Sequence, residues 1–425
     1  MTIRISERFP RYTEFDPQVP VWCVTPGEGR TIHRFFDTSP FSPSGRYLAA
    51  FRLPQENRLP EPGEVGQIVL VDLHTGAERV VAETRGWETQ MGANVNWGAD
   101  DAHLLFNDVD PATWAPFGVC LDPQTGASRR LEGCVYRASP DGRCIAAASM
   151  ERMRRTQHGY GVVIPDDRVP HNHGLVDDDG LWITDVRTGR RRLLVSLRDC
   201  VRRAVPRSDF NDADGLEVYG FHCKWNRQGD RLIFTVRAYP ADAGRDFDNI
   251  GAGVLRFDVY TLDNDARDIR LAVPADQWDK GGHHINWFPD GRTLSMNLNI
   301  RRDGLRFVRC GADGSGLAPI LETPPGSGHP TIHPDDRHIL TDAYCGEPVG
   351  FGDGTIPLRW VDRRDGSEQT LVRMRVRTPQ QDACSALRVD PHPAWDATGR
   401  WIAFNGFADG TRQVYVADLS RLIGG

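Results

Sequence analysis

Lysine is almost absent. The 425-residue chain holds only Lys224 and Lys280, so all but two of its 51 basic residues are arginines. A net charge of -7 leaves no basic face for general nucleic-acid binding, although a local basic pocket for an anionic ligand remains compatible with it. No apolar run is long enough to cross a bilayer. None follows the charges of the opening MTIRISERFPRYTEFDPQ, so neither a secretory leader nor a membrane partner is expected. The nine cysteines are odd in number and lack a Cys-x-x-Cys, which fits free thiols and a cytoplasmic location. There is no Gly-x-Ser-x-Gly, no P-loop, and no Gly-x-Gly-x-x-Gly between a strand and a helix. Serine hydrolysis and nucleotide binding lose their usual signatures.

What the chain has in quantity is turns, with 43 glycines and 29 prolines. They punctuate a recurring unit of short strand, tight turn and apolar strand. FSPSGRYLAAF, NWGADDAHLLF, RASPDGRCIAAA, KWNRQGDRLIFT, NWFPDGRTLSM, TIHPDDRHILT and AWDATGRWIAF are its seven copies, marked at Gly45, Asp101, Gly142, Gly229, Gly291, Asp336 and Gly399. Several are followed by a further pair of strands around a turn such as DLHTGA, DPQTGA or DVRTGR. Four antiparallel strands per unit and seven units predict an all-β fold, a seven-bladed β-propeller. The last unit is one strand short, and VPVWCVT near the N-terminus supplies the missing strand and closes the ring. The expected organisation is one propeller domain over 1–425, with insertions at about 150–178 and 198–217. Tyr160, Val162, Val163 and Ile164 suggest that the first of these is ordered over one face.

Seven residues before each turn marker stand Thr38, Asn94, Val135, His222, His284, His329 and His392. Four consecutive blades therefore carry histidine at one position of the innermost strand, which lines the central channel. Imidazole is a common metal ligand and a common general base near neutral pH. Asp390, two residues before His392, completes a His329, His392 and Asp390 metal set with open positions. Strand alternation places Lys224 with His222 and Asn286 with His284, and turns His283 into its blade as a structural residue. Lys280, Arg152, Arg154, Arg155, Gln157 and Tyr160 are expected around the mouth, with Arg237 and Asn94 also facing the cavity. Arginine and lysine there suit a carboxylate-bearing ligand.

A propeller with channel histidines on its later blades resembles the oligogalacturonate lyases, with its specific motifs in residues 280–405. The resemblance implies a divalent metal, typically Mn2+ (with Zn2+, Ca2+ or Mg2+ as substitutes), that holds a substrate carboxylate. It implies that His284 in GGHHINWFPDG is the base that removes the C5 proton. It implies that His329 in GSGHPTIHPDD and His392 in DPHPAWDATG are metal ligands. His222 or Tyr160 would assist the leaving group, and Lys224, Arg237, Arg152, Arg155, Lys280 and Asn94 would contact substrate. The family's last ligand cluster reads Gln-x-x-His-x-His, whereas this chain has Leu387 and Asp390 at its first two ligand positions. The expected function is metal-dependent β-elimination on an acidic, uronate-containing oligosaccharide. The alternatives are a non-catalytic propeller of the TolB or WD40 kind that binds a protein, or another metal-assisted elimination or epimerisation. Oligomeric state is left open by the sequence.

Overall fold

The computed structural model describes residues 3–211, 215–240 and 255–423. Its strands form seven four-stranded antiparallel sheets, six of them built from consecutive segments of chain. The fourth blade is representative: Leu216–Trp225 is innermost, followed outward by Arg231–Pro240, Arg256–Asp263 and Ile269–Val273. The ring closes as the sequence predicts. Val21–Cys23 forms the outer strand of the last blade, with Val21 opposite Ala417 and Cys23 opposite Tyr415.

Apolar residues alternate along the strands and interdigitate between blades. Ile233, Val259 and Val273 of the fourth blade share a core with Ile285, Leu294 and Met296 of the fifth. Each such side chain taken from water stabilises the fold by about 1.5–3 kcal/mol. The turns carry a repeated device. In DLHTGA, Asp72 Oδ1 accepts from the backbone N–H of His74 and Thr75, and Gly76 follows at φ 74°. Gly126, Gly189 and Gly366 occupy the same place in their turns, at φ 76°, 76° and 75°. This left-handed conformation suits glycine because it has no Cβ to clash.

The marker turns hold adjacent blades together. At Gly142 (φ 68°), an added Cβ would lie 2.1 Å from the Ala99 nitrogen and 2.3 Å from the Gly98 carbonyl carbon, both backbone atoms of the neighbouring blade. Gly142→Ala is therefore expected to destabilise the protein by roughly 2–4 kcal/mol, read as a lower midpoint in urea unfolding.

The first insertion contains a helix, Met150–Thr156, and a short turn of helix, Asp166–Arg168. Met150, Met153, Tyr160, Val162 and Ile164 are buried in the core of the third and fourth blades. A second helix, Leu197–Arg203, is capped by Ser196 Oγ, which accepts from the Asp199 N–H at 3.0 Å. Among the described residues, no helix is long and apolar enough to cross a membrane.

Candidate active site

The inner strands are irregular where the histidines lie. Pairing shifts register between Gly220 and Cys223 and again between His283 and Asn286. Asn94, His284 and His392, from three different blades, share positive φ values of 54°, 61° and 50°. A bulge with a left-handed residue re-aims its side chain, as at His284, which lies within the second of these shifts. The rings of His284 and His329 are 3.9 Å apart, and those of His329 and His392 4.2 Å. Phe35 lies between these three and His222, with ring separations of 6.1, 5.7, 4.6 and 5.7 Å from His284, His329, His392 and His222.

Asp342, with no exposed surface, organises the deepest part. One carboxylate oxygen accepts from the backbone N–H of His329 at 2.7 Å and from its Nδ1–H at 2.8 Å; the other accepts from the backbone N–H of His392 at 3.0 Å. The proton of His329 is thereby fixed on Nδ1, and Nε2 presents its lone pair. Among the described residues, His329 Nε2 and both ring nitrogens of His392 have no hydrogen-bond partner, although both rings are fully buried. Such a state is costly unless another group takes the lone pairs. Burial first, then the neighbouring His329 and His33, hold the His392 pKa well below 6.5, so its ring is neutral.

Ligand atoms of His329, His392 and Asp390 lie within 4.8 Å of one another. Ligand atoms on one tetrahedral ion, at bonds of about 2.0–2.1 Å, stand roughly 3.4 Å apart, so closing this set on a cation takes a contraction of up to about 1.4 Å between its members. The donors fit a divalent metal: two neutral imidazoles, one carboxylate, and Asp342 as the carboxylate that orients an imidazole from behind. Arg388 Nε donates to Asp390 at 2.8 Å and fixes its orientation. Asp342→Asn, which removes the charge behind His329, is expected to weaken metal affinity about 10–100-fold in a calorimetric titration with Mn2+.

Above this buried floor is a half-exposed mouth. His284 Nδ1 donates to the Gly328 carbonyl at 2.7 Å, leaving Nε2 as an acceptor 3.2 Å from Tyr344 Oη. Burial, followed by the neighbouring His329 and His283, depresses its pKa well below 6.5 and keeps the imidazole neutral. His283 is not turned into its blade as alternation predicts. The bulge brings its Nδ1 to 2.8 Å from His284 Nδ1 and its ring to 5.5 Å from that of Tyr344. His222 lies across Phe35 and is hydrogen-bonded through Nδ1 to Tyr136, whose phenol burial keeps protonated. Tyr160 packs 5.9 Å from the His222 ring, and Arg237 stacks on Phe221 at 3.5 Å while donating to Gln157.

Other predicted residues are placed elsewhere. Lys224 Nζ is buried and 2.8 Å from Asp37 Oδ2, in a cluster with Arg34 and Arg137, so it is not free to meet a ligand. Asn94 accepts from Arg34 Nε at 3.1 Å and belongs to the same cluster. Lys280 Nζ donates to Gln277 at 2.8 Å, and no contact with the histidine cluster is found for it among the described residues. Arg152 turns away from the channel to Asp179 (3.0 Å) and Ser149 (2.8 Å), because its place on the helix faces the outer side. Arg154 pairs with Glu88 at 3.2 Å. Arg155 lies on the same helix, but its side chain is outside the described residues. Sequence reasoning missed Asp342, Tyr344, Phe35 and Arg388. Only Arg388 had a visible cue, its nearness to Asp390; the others come from segments that lack the aligned position.

Neither a protein-family model nor a curated protein matches the sequence. The fold is similar over 100% of both chains to a solved structure described as oligogalacturonate lyase in complex with manganese, at a TM-score of 0.61 and 14% identity. A second, the oligogalacturonate lyase of Vibrio parahaemolyticus, matches over 97% of both chains at a TM-score of 0.61 and 15% identity. The propeller domain of the trilobed protease from Pyrococcus furiosus is similar over 91% of this chain and 95% of its own, at a TM-score of 0.50 and 12% identity. At these identities the likeness is one of architecture, and function rests on the site.

Proposed function

We propose that the protein is a metal-dependent lyase that cleaves a uronate-containing oligosaccharide by β-elimination. The observation that carries the reading is the gathering of His329, His392 and Asp390 into one set, with three unpartnered imidazole nitrogens among them and the His284 ring 3.9 Å from that of His329. A divalent cation held by His329, His392 and Asp390, in this reading Mn2+, would neutralise the uronate carboxylate and so make the adjacent C5–H acidic.

The chain's own residues supply the rest. His284 is neutral, and its Nδ1–H bond to Gly328 points the Nε2 lone pair to the mouth, as a base that takes the C5 proton requires. Tyr344, kept protonated by burial, donates to that nitrogen in the resting site and releases it when substrate enters. Arg237, largely buried on Phe221 and donating to Gln157, is the guanidinium near His222 that would grip a carboxylate once Gln157 yields. Lys224, held by Asp37, is assigned no substrate contact. The phenol of Tyr136 directs the His222 proton to Nε2, where this N–H would hydrogen-bond O4 and stabilise its charge as the C4–O4 bond breaks, O4 then taking its proton from solvent. Loss of the C5 proton and the O4 leaving group yields a 4,5-unsaturated uronate.

The test is incubation of the protein and Mn2+ with a panel of acidic oligosaccharides, following the ultraviolet absorbance of the unsaturated product. Absorbance growth with at least one uronate is expected. Bound metal without product from any of them would refute the reading and leave a binding propeller.

A further inference from the structure

A further cavity lies away from the histidines. It is a groove of about 650 Å³ between the second and third blades, within the range of roughly 300–1,000 Å³ typical of small-ligand sites. The helix Met150–Thr156 separates the two. Met150, Glu151 and Arg152 line the groove, while Gln157 and Tyr160, just beyond the helix, reach Arg237 and His222. The groove and the histidine mouth are therefore served by the two ends of one segment, Met150 to Tyr160.

Two half-buried indoles line it, Trp114 and Trp182. Trp114 stands where the chain's own pattern calls for glycine. The segment DPATWA repeats the DLHTGA and DPQTGA turns atom for atom. Asp110 Oδ1 accepts from Ala112 and Thr113, as Asp72 does from His74 and Thr75. The Trp114 N–H bonds the Asp110 carbonyl at 2.7 Å, as Gly126 bonds that of Asp122 at 2.9 Å. Trp114 thus adopts the glycine conformation, at φ 61°. A bulky residue is strained there, and such strain marks sites where the side chain is needed. Opposite, Gly63 leaves room for the indole: a Cβ at that position would already touch its edge at 3.4 Å.

The polar lining is charge-balanced. Arginines and carboxylates line the groove in equal number, four of each, and Arg152 is already paired with Asp179. A strong anion finds no surplus cation here. Arg191 covers one face of Trp182 at 4.4 Å; the remaining indole surface between planar hydrogen-bonding groups matches the apolar C–H face and hydroxyl rim of a pyranose.

We propose that this groove is a saccharide-binding subsite that takes neutral pyranose units, separate from the histidine centre. The inference stands whether or not the chain is a lyase. It is tested by calorimetric titration of the full chain with galactotetraose and cellotetraose, which lack the carboxylate that the histidine centre would need. At least one binds the parent protein. Trp114→Gly restores the pattern residue, keeps cooperative unfolding, and weakens binding by about tenfold or more. Trp182→Ala weakens it similarly, while the His329→Ala, His392→Ala double variant binds as the parent does. Should Trp114→Gly fail to fold, Trp182→Ala decides the matter alone. Failure of both tetrasaccharides to bind, or unchanged affinity in the tryptophan variants, overturns the proposal. Absence of lyase product leaves it untouched.

Discussion

Replacing His284 by alanine is expected to lower the elimination rate about 10²–10⁴-fold, the span that a positioned general base contributes. The loss should appear in kcat, because the ring contacts a proton that moves only in the transition state. Metal content should stay at the parent level, since His284 is outside the His329, His392 and Asp390 set. Steady-state kinetics with metal analysis of the same preparation checks both halves. A variant that loses metal along with rate would make His284 a ligand and not the base. A small shape change is expected at the mouth, where Tyr344 loses its partner.

The second large effect is in the floor. The His329→Ala, His392→Ala double variant removes two of three donors and should abolish detectable metal binding and turnover together. It should not unfold the protein. The two rings have three nitrogens without protein partners, so their removal breaks few hydrogen bonds; what it frees is Asp342, whose side chain would then need water. A modest loss of thermal stability with complete loss of metal, by calorimetry and metal analysis, is the expected pair of results. Retention of stoichiometric metal would show that the ion is held elsewhere. The His333, Asp335 and His338 group on the sixth blade, whose ligand atoms also fall within 4.8 Å, is the place to look.

The architecture was legible in the sequence because each blade repeats a local rule. A turn residue at a fixed offset and an apolar strand after it recur seven times, and the missing strand of the last unit pointed to Val21–Cys23. The histidines were legible for the same reason, as one position read across blades. What failed was the face assignment of individual side chains near them. Strict alternation placed His283 inside its blade; it placed Lys224 toward the channel, where its Nζ does stand 4.4 Å from the Phe36 ring, but it gave no sign of the Asp37 carboxylate that holds it. A bulge at each strand breaks that alternation, and nothing in GGHHINW or FHCKW announces an extra residue. Asp342 was invisible for another reason. It sits just after the second strand of its blade, His338–Thr341, and reaches the inner strand's histidine across the blade. Contacts of that kind depend on how strands pair. The outward turn of Arg152 likewise follows from helix phase in an irregular insertion.

The closure of the ring has a consequence for how the chain reaches this state. One edge of Val21–Cys23 is bonded locally to Pro10 and Tyr12, but its strand partner is Gln413–Asp418, far along the polypeptide. During translation this other edge must wait until Gln413–Asp418 has emerged from the ribosome. For all that time its hydrogen-bonding groups and the apolar side chains of Val21 and Cys23 stay open to solvent and to other nascent chains. Kinetic competition from association is thus greatest before Gln413–Asp418 is available to pair.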